Sequence, residues 1–491
     1  MVEFARVAET FARRADGGWE YGSGYLITAR LVLTAAHAVV TGPGPGADVI
    51  VRFLGDGRRL AGRVAWWRRD AATDVALVEV VDPAWQPPPV PPVRWGRLTG
   101  QRGGVPCEAV GFPDALRGPD DVRDSEHLSA TVNPGTRAKA GRYDVLIPQG
   151  PTAQPRSSVW GGMSGAAVFS GELLIGVLVA DPHGFSSRRL TALPAEVFAG
   201  DAAFAAHAGR RGLESVELAG LFETAQPGGD APSPAFLLRP DAAVVPFHGR
   251  SVLLDELSAW SAQPDGFAAR LVTGPGGQGK TRLAQELAGR LAAEGWVTGW
   301  LARPPAGARA EDVDLLVETT VPTLLIADYA ETRTEQLGLI VERIATARRS
   351  GHRLRMLLLA RSGGDWWRQL VGTSPGAERM LGTAAVVPLP ALEESVDGRA
   401  AAFRAAARHF AAALPAVAGY GDIDWASLAA GPPAGLAQQR FGSVLALHMT
   451  ALVGLLQASP AAVPAAAGDA VEEMLLRHEE RYWARTAAAR G

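Results

Sequence analysis

The sequence predicts a multidomain chain: an all-β N-terminal part, an α/β domain, then a helical C-terminal region. Three observations predict it. Residues 1–205 hold short Val/Ile/Leu-rich runs punctuated by Gly, Pro and Asp, the pattern of a barrel or sandwich. Beyond about residue 240, apolar strands alternate with amphipathic helical stretches, as in a parallel sheet with helices on both faces. After 395 only helical patterns remain.

In the β part the strand runs are YLITARLVLTAA, DVIVRFL, DVALVEV, GAAVF and ELLIGVLVA. PAWQPPPVPPVRW (83–95) is a stiff proline-rich connection suited to the crossing between two β halves. ETAQPGGDAPSPAF (223–236) has the composition of a domain boundary, which places a linker over 206–240. An α/β domain then spans 241–394, with ARLVTG, WVTGWLA, TLLIADYA, RLRMLLLARS and AAVVPLP as strands. TRLAQELAGRLAAEG and EQLGLIVERIATARR read as helices between them, and 395–491 forms the helical region.

Composition excludes several functions. The 491 residues suffice for about two to four domains. A net charge of -3 provides no basic field for nucleic acid or an anionic membrane. Cys107 is the only cysteine, so no intramolecular disulfide forms and nothing indicates an oxidising compartment. MVEFARVAETFARRADGG carries Glu3 and Glu9 and lacks a long apolar core, unlike a signal peptide. FGSVLALHMTALVGLLQASP contains His448 and Gln457 and stops at Pro460, so it reads as a buried helix rather than a membrane span. The expected location is the cytoplasm.

Three stretches of the β part belong together. TAAHAV supplies His37, TDVALVEV supplies Asp74, and WGGMSGAAVF supplies Ser164. A hydroxyl is a weak nucleophile near pH 7. It needs an imidazole to take its proton and a carboxylate to fix that imidazole's tautomer. His37 is the candidate base, Asp74 the orienting group and Ser164 the nucleophile. Gly161, Gly162 and Gly165 let the backbone turn so that the Gly162 and Ser164 amides point at a developing oxyanion. Each piece alone is common; the order His, Asp, Ser in a β-rich segment is not.

These segments resemble the trypsin-like (chymotrypsin-fold) serine peptidases, through GSGYLITARLVLTAAHAV, DVALVEV and GGMSGAAVFSGELLIGVLVADPHG. The resemblance covers roughly residues 1–205. It implies two six-stranded β-barrels with the triad in the cleft between them, and a protein substrate. Secreted members place an Asp before the nucleophile and ion-pair it with a freshly cut N-terminus. Met163 stands there in this chain, so the resemblance implies an intracellular branch whose competence other domains set. Ser158 falls where trypsin carries its specificity carboxylate, which does not favour Arg or Lys substrates at that position. Asp181 either lies on the pocket wall or is a turn residue before Pro182.

VTGPGGQGKTRL (272–283) reads G-x-x-x-x-G-K-T after a strand and opening a helix. Gly274, Gly276, Gly277 and Gly279 let the backbone wrap phosphates. Lys280 reaches the β and γ oxygens, and Thr281 ligates Mg²⁺. PTLLIADYAE ends a strand at Asp328, suited to hold Mg²⁺ through water. Glu331 either polarises the attacking water or is an ordinary surface residue. Arg361 either senses a γ-phosphate or makes a salt bridge or cap contact.

VVPFHGRSVLLDELSAW (244–260) and LLLARS resemble the entry segment and sensor strand of STAND ATPases, relatives of AAA+ and NB-ARC proteins. That resemblance covers roughly 240–491. It implies a P-loop NTPase binding ATP or ADP, with Phe247, Gly249 and Arg250 along the adenine. It also implies nucleotide-dependent homo-oligomers and a trigger ligand or sensor. The repeat-rich sensor of such proteins is not seen, so it is expected in a longer chain or a separate protein. Together the two halves imply a serine endopeptidase governed by an ATP switch, in bacterial defence or stress signalling. The alternatives are a regulatory switch with an inactive peptidase scaffold, and an ATP-dependent quality-control protease.

Overall fold

The computed structural model describes residues 2–480 apart from 43, 47, 119–121, 149–157, 183–186, 210–211, 224–232, 304–308, 348–351, 429–430, 461–469 and 479. The chain divides into two units. The first comprises Met1–Ala219 with Glu318–Thr320, and the second comprises Gly220–Val317 with Val321–Gly491. Most of the expected linker sequence 223–236, and the end of the C-terminal helical pattern, lie outside the described residues.

The first unit opens with β1 (Val7–Arg13), β2 (Trp19–Leu26), β3 (Leu31–Thr34), the single turn α1 (Ala36–Val39), β4 (Val49–Phe53), β5 (Leu60–Arg69) and β6 (Asp74–Val80). These strands close into a barrel of order β1-β2-β3-β6-β5-β4. There follow β7 (Arg94–Arg97), β8 (Val105–Gly111), β9 (Glu126–Val132), β10 (Tyr143–Leu146), β11 (Ala167–Ser170), β12 (Leu173–Ala180) and β13 (Arg189–Pro194). The helices α2 (Ala195–Ala199) and α3 (Ala202–Ala208) then lead to β14 (Leu213–Ser215). The second sheet has the order β11-β8-β9-β10-β13-β12-β7-β14, and β11 also pairs with β12. That extra pairing closes β8 to β13 into a second ring of six strands, with β7 and β14 added alongside β12. The expected pair of six-stranded barrels is therefore present.

Period-2 alternation explains why the strands of this unit are apolar on both faces. On β3, Val32 packs in the first barrel's core with Ala8, Leu26 and Val51. Its neighbours Leu31 and Leu33 face a second core with Trp95, Phe112, Phe169 and Leu174 of the other barrel. β6 divides the same way: Ala76 and Val78 inward, Val75 and Leu77 toward the second barrel. The three candidate catalytic residues sit at the ends of such doubly buried strands. His37 lies on α1 just past β3, Asp74 begins β6, and Ser164 precedes β11.

One boundary differs from expectation. The first unit runs to Ala219 rather than 205, and the stretch expected as linker contains β14. β14 pairs in parallel with β7, Ser215 Oγ lies 2.6 Å from Thr99 Oγ1, and the Thr99 amide donates to Glu217 Oε2 at 2.9 Å. The three residues LES carry no apolar alternation; partners more than a hundred residues away hold them in the sheet.

The second unit has α4 (Ser251–Ala262), β15 (Phe267–Thr273), α5 (Lys280–Ala293), β16 (Val297–Trp300), α6 (Ala310–Glu318), β17 (Thr323–Ala327), α7 (Thr334–Thr346) and β18 (Leu354–Ala360). α8 (Gly364–Val371), α9 (Pro375–Leu381) and β19 (Ala385–Pro388) complete its sheet region. The five strands are parallel, in the order β16-β17-β18-β15-β19. The chain leaves β15 toward the β16 edge and leaves β18 toward β19 on the other side. The loops after β15 and β18 therefore diverge and open a crevice at the strands' C-terminal ends. α10 (Val396–Ala413) and α11 (Val444–Ala458) pack around Phe403, Phe410, Trp425, Leu452 and Leu456. Among the described residues, no helix is long and apolar enough to cross a membrane.

Candidate functional site

The first site is built from His37, Asp74 and Ser164. The His37 ring Nδ1 lies 2.6 Å from Asp74 Oδ2, and the His37 backbone amide donates to Asp74 Oδ1 at 2.9 Å. One carboxylate thus fixes both the ring and the main chain of the same residue. Burial pushes the Asp74 carboxyl up, but the hydrogen bonds and charge of His37 prevail and hold it below its ordinary value. A carboxylate accepting from Nδ1 directs the lone pair of the imidazole to Nε2, the nitrogen a base uses here.

Ser164 is brought beside α1 by backbone contacts. The Ser23 amide donates to the Ser164 carbonyl at 2.7 Å, and the Ser23 hydroxyl donates to the Gly162 carbonyl at 2.7 Å. The Phe112 amide donates to that hydroxyl at 3.0 Å, and Thr34 Oγ1 donates to the Ser23 carbonyl at 2.7 Å. Gly165 sits at φ +95°, where a Cβ would collide with the Ser23 carbonyl and Thr34 Oγ1. The Gly162–Gly165 loop therefore packs directly against the end of β3, which leads into α1 and His37. Among the described residues, the Ser164 hydroxyl makes no hydrogen bond; a nucleophile–base contact commonly tightens only with substrate bound.

The backbone around Ser164 has the polarity an oxyanion needs. The Met163 amide donates to the Trp160 carbonyl at 3.0 Å, and the Gly165 amide to Leu178 at 2.7 Å. Among the described residues, the Gly162 and Ser164 amides between them donate to no carbonyl. Both amides expected to face an oxyanion are therefore unspent, while the Met163 amide between them is committed. Gly162 reaches it at φ +88°, where a Cβ would collide with the Phe112 carbonyl. Met163 is 1% exposed and packs in the second barrel's core with Trp160, Ala166 and Val168.

Sequence left Asp181 undecided between pocket wall and turn. It accepts a 2.5 Å hydrogen bond from Ser158 Oγ. Asp181 follows β12, and Leu178 of β12 pairs with Gly165 and Ala166. Sequence reasoning missed Ser23 and a charged group near Gly162, in which buried Glu9 and Arg123 meet half-buried Asp114. The single signal available for the last was charge in strand-like or turn segments.

The second site lies at the C-terminal ends of β15, β17 and β18, around a cavity of about 450 Å³. Gly276, Gly277, Gly279, Lys280, Thr281, Arg250, Asp328, Glu331 and Arg361 line it. The Lys280 ammonium donates to the carbonyls of Gly274 and Pro275 at 2.6 and 3.0 Å. Desolvation lowers the Lys280 pKa, against the charges of Asp328 and Glu331. Thr281 Oγ1 donates to Asp328 Oδ2 at 2.9 Å. Glu331 Oε1 accepts from the Arg361 amide at 3.2 Å, while its Oε2 is buried with no hydrogen-bond partner among the described residues. Tyr329, between the two acidic residues, adopts φ +52°, a conformation that clusters at functional sites.

Gly249 and Gly274 do not line the cavity. Gly249 at φ +72° packs on Leu392, and Gly274 is held by its amide to the Ala360 carbonyl at 3.2 Å. The Arg250 guanidinium donates to the carbonyls of Gln278 and Pro390 at 3.1 and 2.8 Å, so it braces the loop that carries Lys280. Phe247, Phe410, Leu445 and His448 form the apolar part of the cavity. His448 was not singled out from sequence as a site residue. Burial pushes its imidazole down to about 4, helped by the charge of His248.

The family model described as a trypsin-like peptidase domain matches residues 22–179. No curated protein matches this chain. Among solved structures, the chain is similar to the Rv3671c protease of M. tuberculosis in its active form, at 18% identity. That likeness covers 43% of this chain and 85% of that one, with a TM-score of 0.31. It is also similar to the protease Anisep of Arthrobacter nicotinovorans, at 18% identity over 40% of this chain and 91% of that one, with a TM-score of 0.30. The β-barrel unit of this protein thus contains, over residues 22–179, a trypsin-like peptidase domain.

Proposed function

We propose that this chain is a cytoplasmic serine endopeptidase whose cleavage of a protein target is governed by an ATP-binding, STAND-type switch in its second unit. The setting we propose is bacterial defence or stress signalling. The trypsin-like peptidase domain supports the peptidase part. The observation that carries it is the double clamp of Asp74 on His37 beside the unspent Gly162 and Ser164 amides.

In the reaction, Ser164 Oγ bonds to the carbonyl carbon of the scissile peptide as His37 Nε2 takes its proton. The electron pair displaced onto the carbonyl oxygen is met by the Gly162 and Ser164 amides. Collapse expels the amine, which takes the proton from His37. Water, losing a proton to His37 as it bonds to the acyl carbon, then releases the acyl group as a carboxylic acid, and the departing Ser164 Oγ takes that proton back from His37. Asp74 holds the imidazolium throughout.

The residues of the second site fit ATP or ADP with Mg²⁺. A 14-residue helix, α5, starts at the cavity with Lys280, and its first amides would meet the anionic phosphates of a nucleotide bound there. Thr281 and Asp328, already 2.9 Å apart, would hold Mg²⁺. Bound Mg²⁺ would supply positive charge to offset that of the phosphate oxygens. Lys280 would leave its own loop carbonyls for those oxygens. Glu331, whose Oε2 has no hydrogen-bond partner among the described residues, would orient water, and Arg361 also lines the cavity. The apolar wall of Phe247, Phe410 and neutral His448 suits a base ring.

The test compares the full chain with Ser164→Ala in its host, mapping new protein N-termini after challenge. Cleavage sites seen only with the wild type are expected, while Ser164→Ala still binds ATP. Equal cleavage by the two chains would remove Ser164 as the nucleophile.

A further inference from the structure

Arg123 is 5% exposed, yet the triad and the amides beside Ser164 make no use of it. Its guanidinium lies between two carboxylates. Nε and Nη2 meet Asp114 Oδ1 at 2.7 and 2.6 Å, and Nη1 lies 3.8 Å from Glu9 Oε1. Its Cζ stands 3.9 Å over the Tyr21 ring. Glu9 on β1 is 1% exposed and also paired with Arg52. One cation therefore ties β1 and β2 of the first barrel to the loop after β8. An isolated buried charge is costly, so an arrangement of this kind persists only when its partners are all in place.

The Asp114 segment is bonded directly to the nucleophile loop. The Asp114 amide donates to the Gly161 carbonyl at 2.6 Å, and the Ala115 amide to the Val159 carbonyl at 3.2 Å. A Cβ placed on Gly161 would lie 2.5 Å from Asp114 Oδ2, and one on Gly162 would lie 3.4 Å from Arg123 Nε. Arg123 Nε thus lies beside Gly162, the residue whose amide is a candidate oxyanion donor. Met163, the residue before the nucleophile, is uncharged and faces the core, so no ion pair anchors the loop from that side.

We propose that Arg123 is a positioning residue for the oxyanion hole, clamping Gly161–Gly162 through Asp114 against Glu9 and Tyr21 of the other barrel. This rests on the peptidase reading of Ser164. It makes the hole a product of the unit's own packing, with no free amine required. Arg123's planar fork serves two carboxylates and a ring face at once; a lysine ammonium does not.

The experiment uses the full chain with Arg123→Met, Arg123→Lys and Asp114→Asn. Three quantities are read: kcat and KM on a peptide, affinity for a peptide aldehyde that forms a tetrahedral oxyanion, and amide hydrogen exchange over 161–165. Arg123→Met is expected to lower kcat about tenfold to hundredfold with KM changed less than about threefold. Aldehyde affinity falls in parallel, exchange over 161–165 accelerates, and Arg123→Lys recovers only part of the loss. Asp114→Asn, at a more exposed residue, gives a smaller loss of the same kind and serves if Arg123→Met does not fold. A folded variant with unchanged kcat and exchange, or a loss confined to KM, overturns the proposal. If the wild type itself cleaves nothing, the peptidase reading fails separately. Exchange over 161–165 then decides alone, and equal exchange in wild type and variants overturns the clamp.

Discussion

Asp74 holds His37 at two points: Oδ2 lies 2.6 Å from the ring Nδ1, and Oδ1 accepts from the backbone amide at 2.9 Å. The second bond locks α1 to the start of β6, so ring and main chain move together. Replacing the carboxylate by an amide keeps the shape but offers Nδ1 a donor, which reverses the tautomer. Asp74→Asn is expected to lower kcat by about 10³–10⁴-fold with KM nearly unchanged, measured by steady-state kinetics. A KM effect without a kcat effect contradicts this role.

Gly165 occupies φ +95° with the Ser23 carbonyl and Thr34 Oγ1 where a Cβ would go. Gly165→Ala combines backbone strain with overlap against main chain. A loss of at least about 2 kcal/mol is expected by urea denaturation, together with lost peptidase activity. An alanine variant of wild-type stability would show that the loop is not seated as described.

Ser158 Oγ donates to Asp181 at 2.5 Å, and among the described residues no cation pairs with that carboxylate. A negative charge near the nucleophile loop favours a basic side chain in the substrate residue before the scissile bond. Profiling with a peptide library is expected to show that preference, and Asp181→Asn to weaken it about tenfold or more. An unchanged profile in the variant assigns Asp181 to the turn alone.

Lys280 is the only cation donating to the phosphate-loop carbonyls of Gly274 and Pro275 among the described residues. Lys280→Ala is expected to abolish ATP binding in titration calorimetry, and Asp328→Asn to remove its dependence on Mg²⁺. Arg250→Ala is expected to weaken binding less, because the Arg250 guanidinium donates to the Gln278 and Pro390 carbonyls and so acts through the loop that carries Lys280. Full binding by Lys280→Ala contradicts the nucleotide assignment.

His448 carries a stability signature. Its folded pKa lies near 4, below the 6.5 of a free imidazole, so between those values the unfolded chain holds a proton the folded chain does not. Stability from this group is complete above about pH 6.5 and falls as pH drops toward 4, by about 1–3 kcal/mol. His448→Leu is expected to flatten that part of the urea-midpoint profile. Parallel profiles for the two chains would refute it.

Much of this was legible because the signals were local. His37, Asp74 and Ser164 each lie at or just beyond the end of a strand whose apolar run is readable, and the Gly274–Gly279 loop joins a readable strand to a readable helix. The illegible parts depend on distant partners. Arg123, Asp114 and Glu9 read as ordinary charges; only closure of two barrels brings Glu9 and Arg123 together across 114 positions. β14 has no hydrophobic signature and exists through β7. Arg250 lines the cavity, but the hold of its guanidinium on the Gln278 and Pro390 carbonyls, 28 and 140 positions away, has no local signal. His448 and Phe410 meet, ring centroids 5.9 Å apart, through packing of α10 on α11 that no short motif encodes.

The central claim is that Ser164 is a nucleophile activated by His37. It is tested most directly by treating the full chain with a fluorophosphonate, with ATP, with ADP and without nucleotide, and locating the adduct by mass spectrometry. The account predicts one adduct, on Ser164, in at least one nucleotide condition, absent from Ser164→Ala and nearly absent from His37→Ala. No adduct in any condition, or equal labelling of His37→Ala, would contradict it.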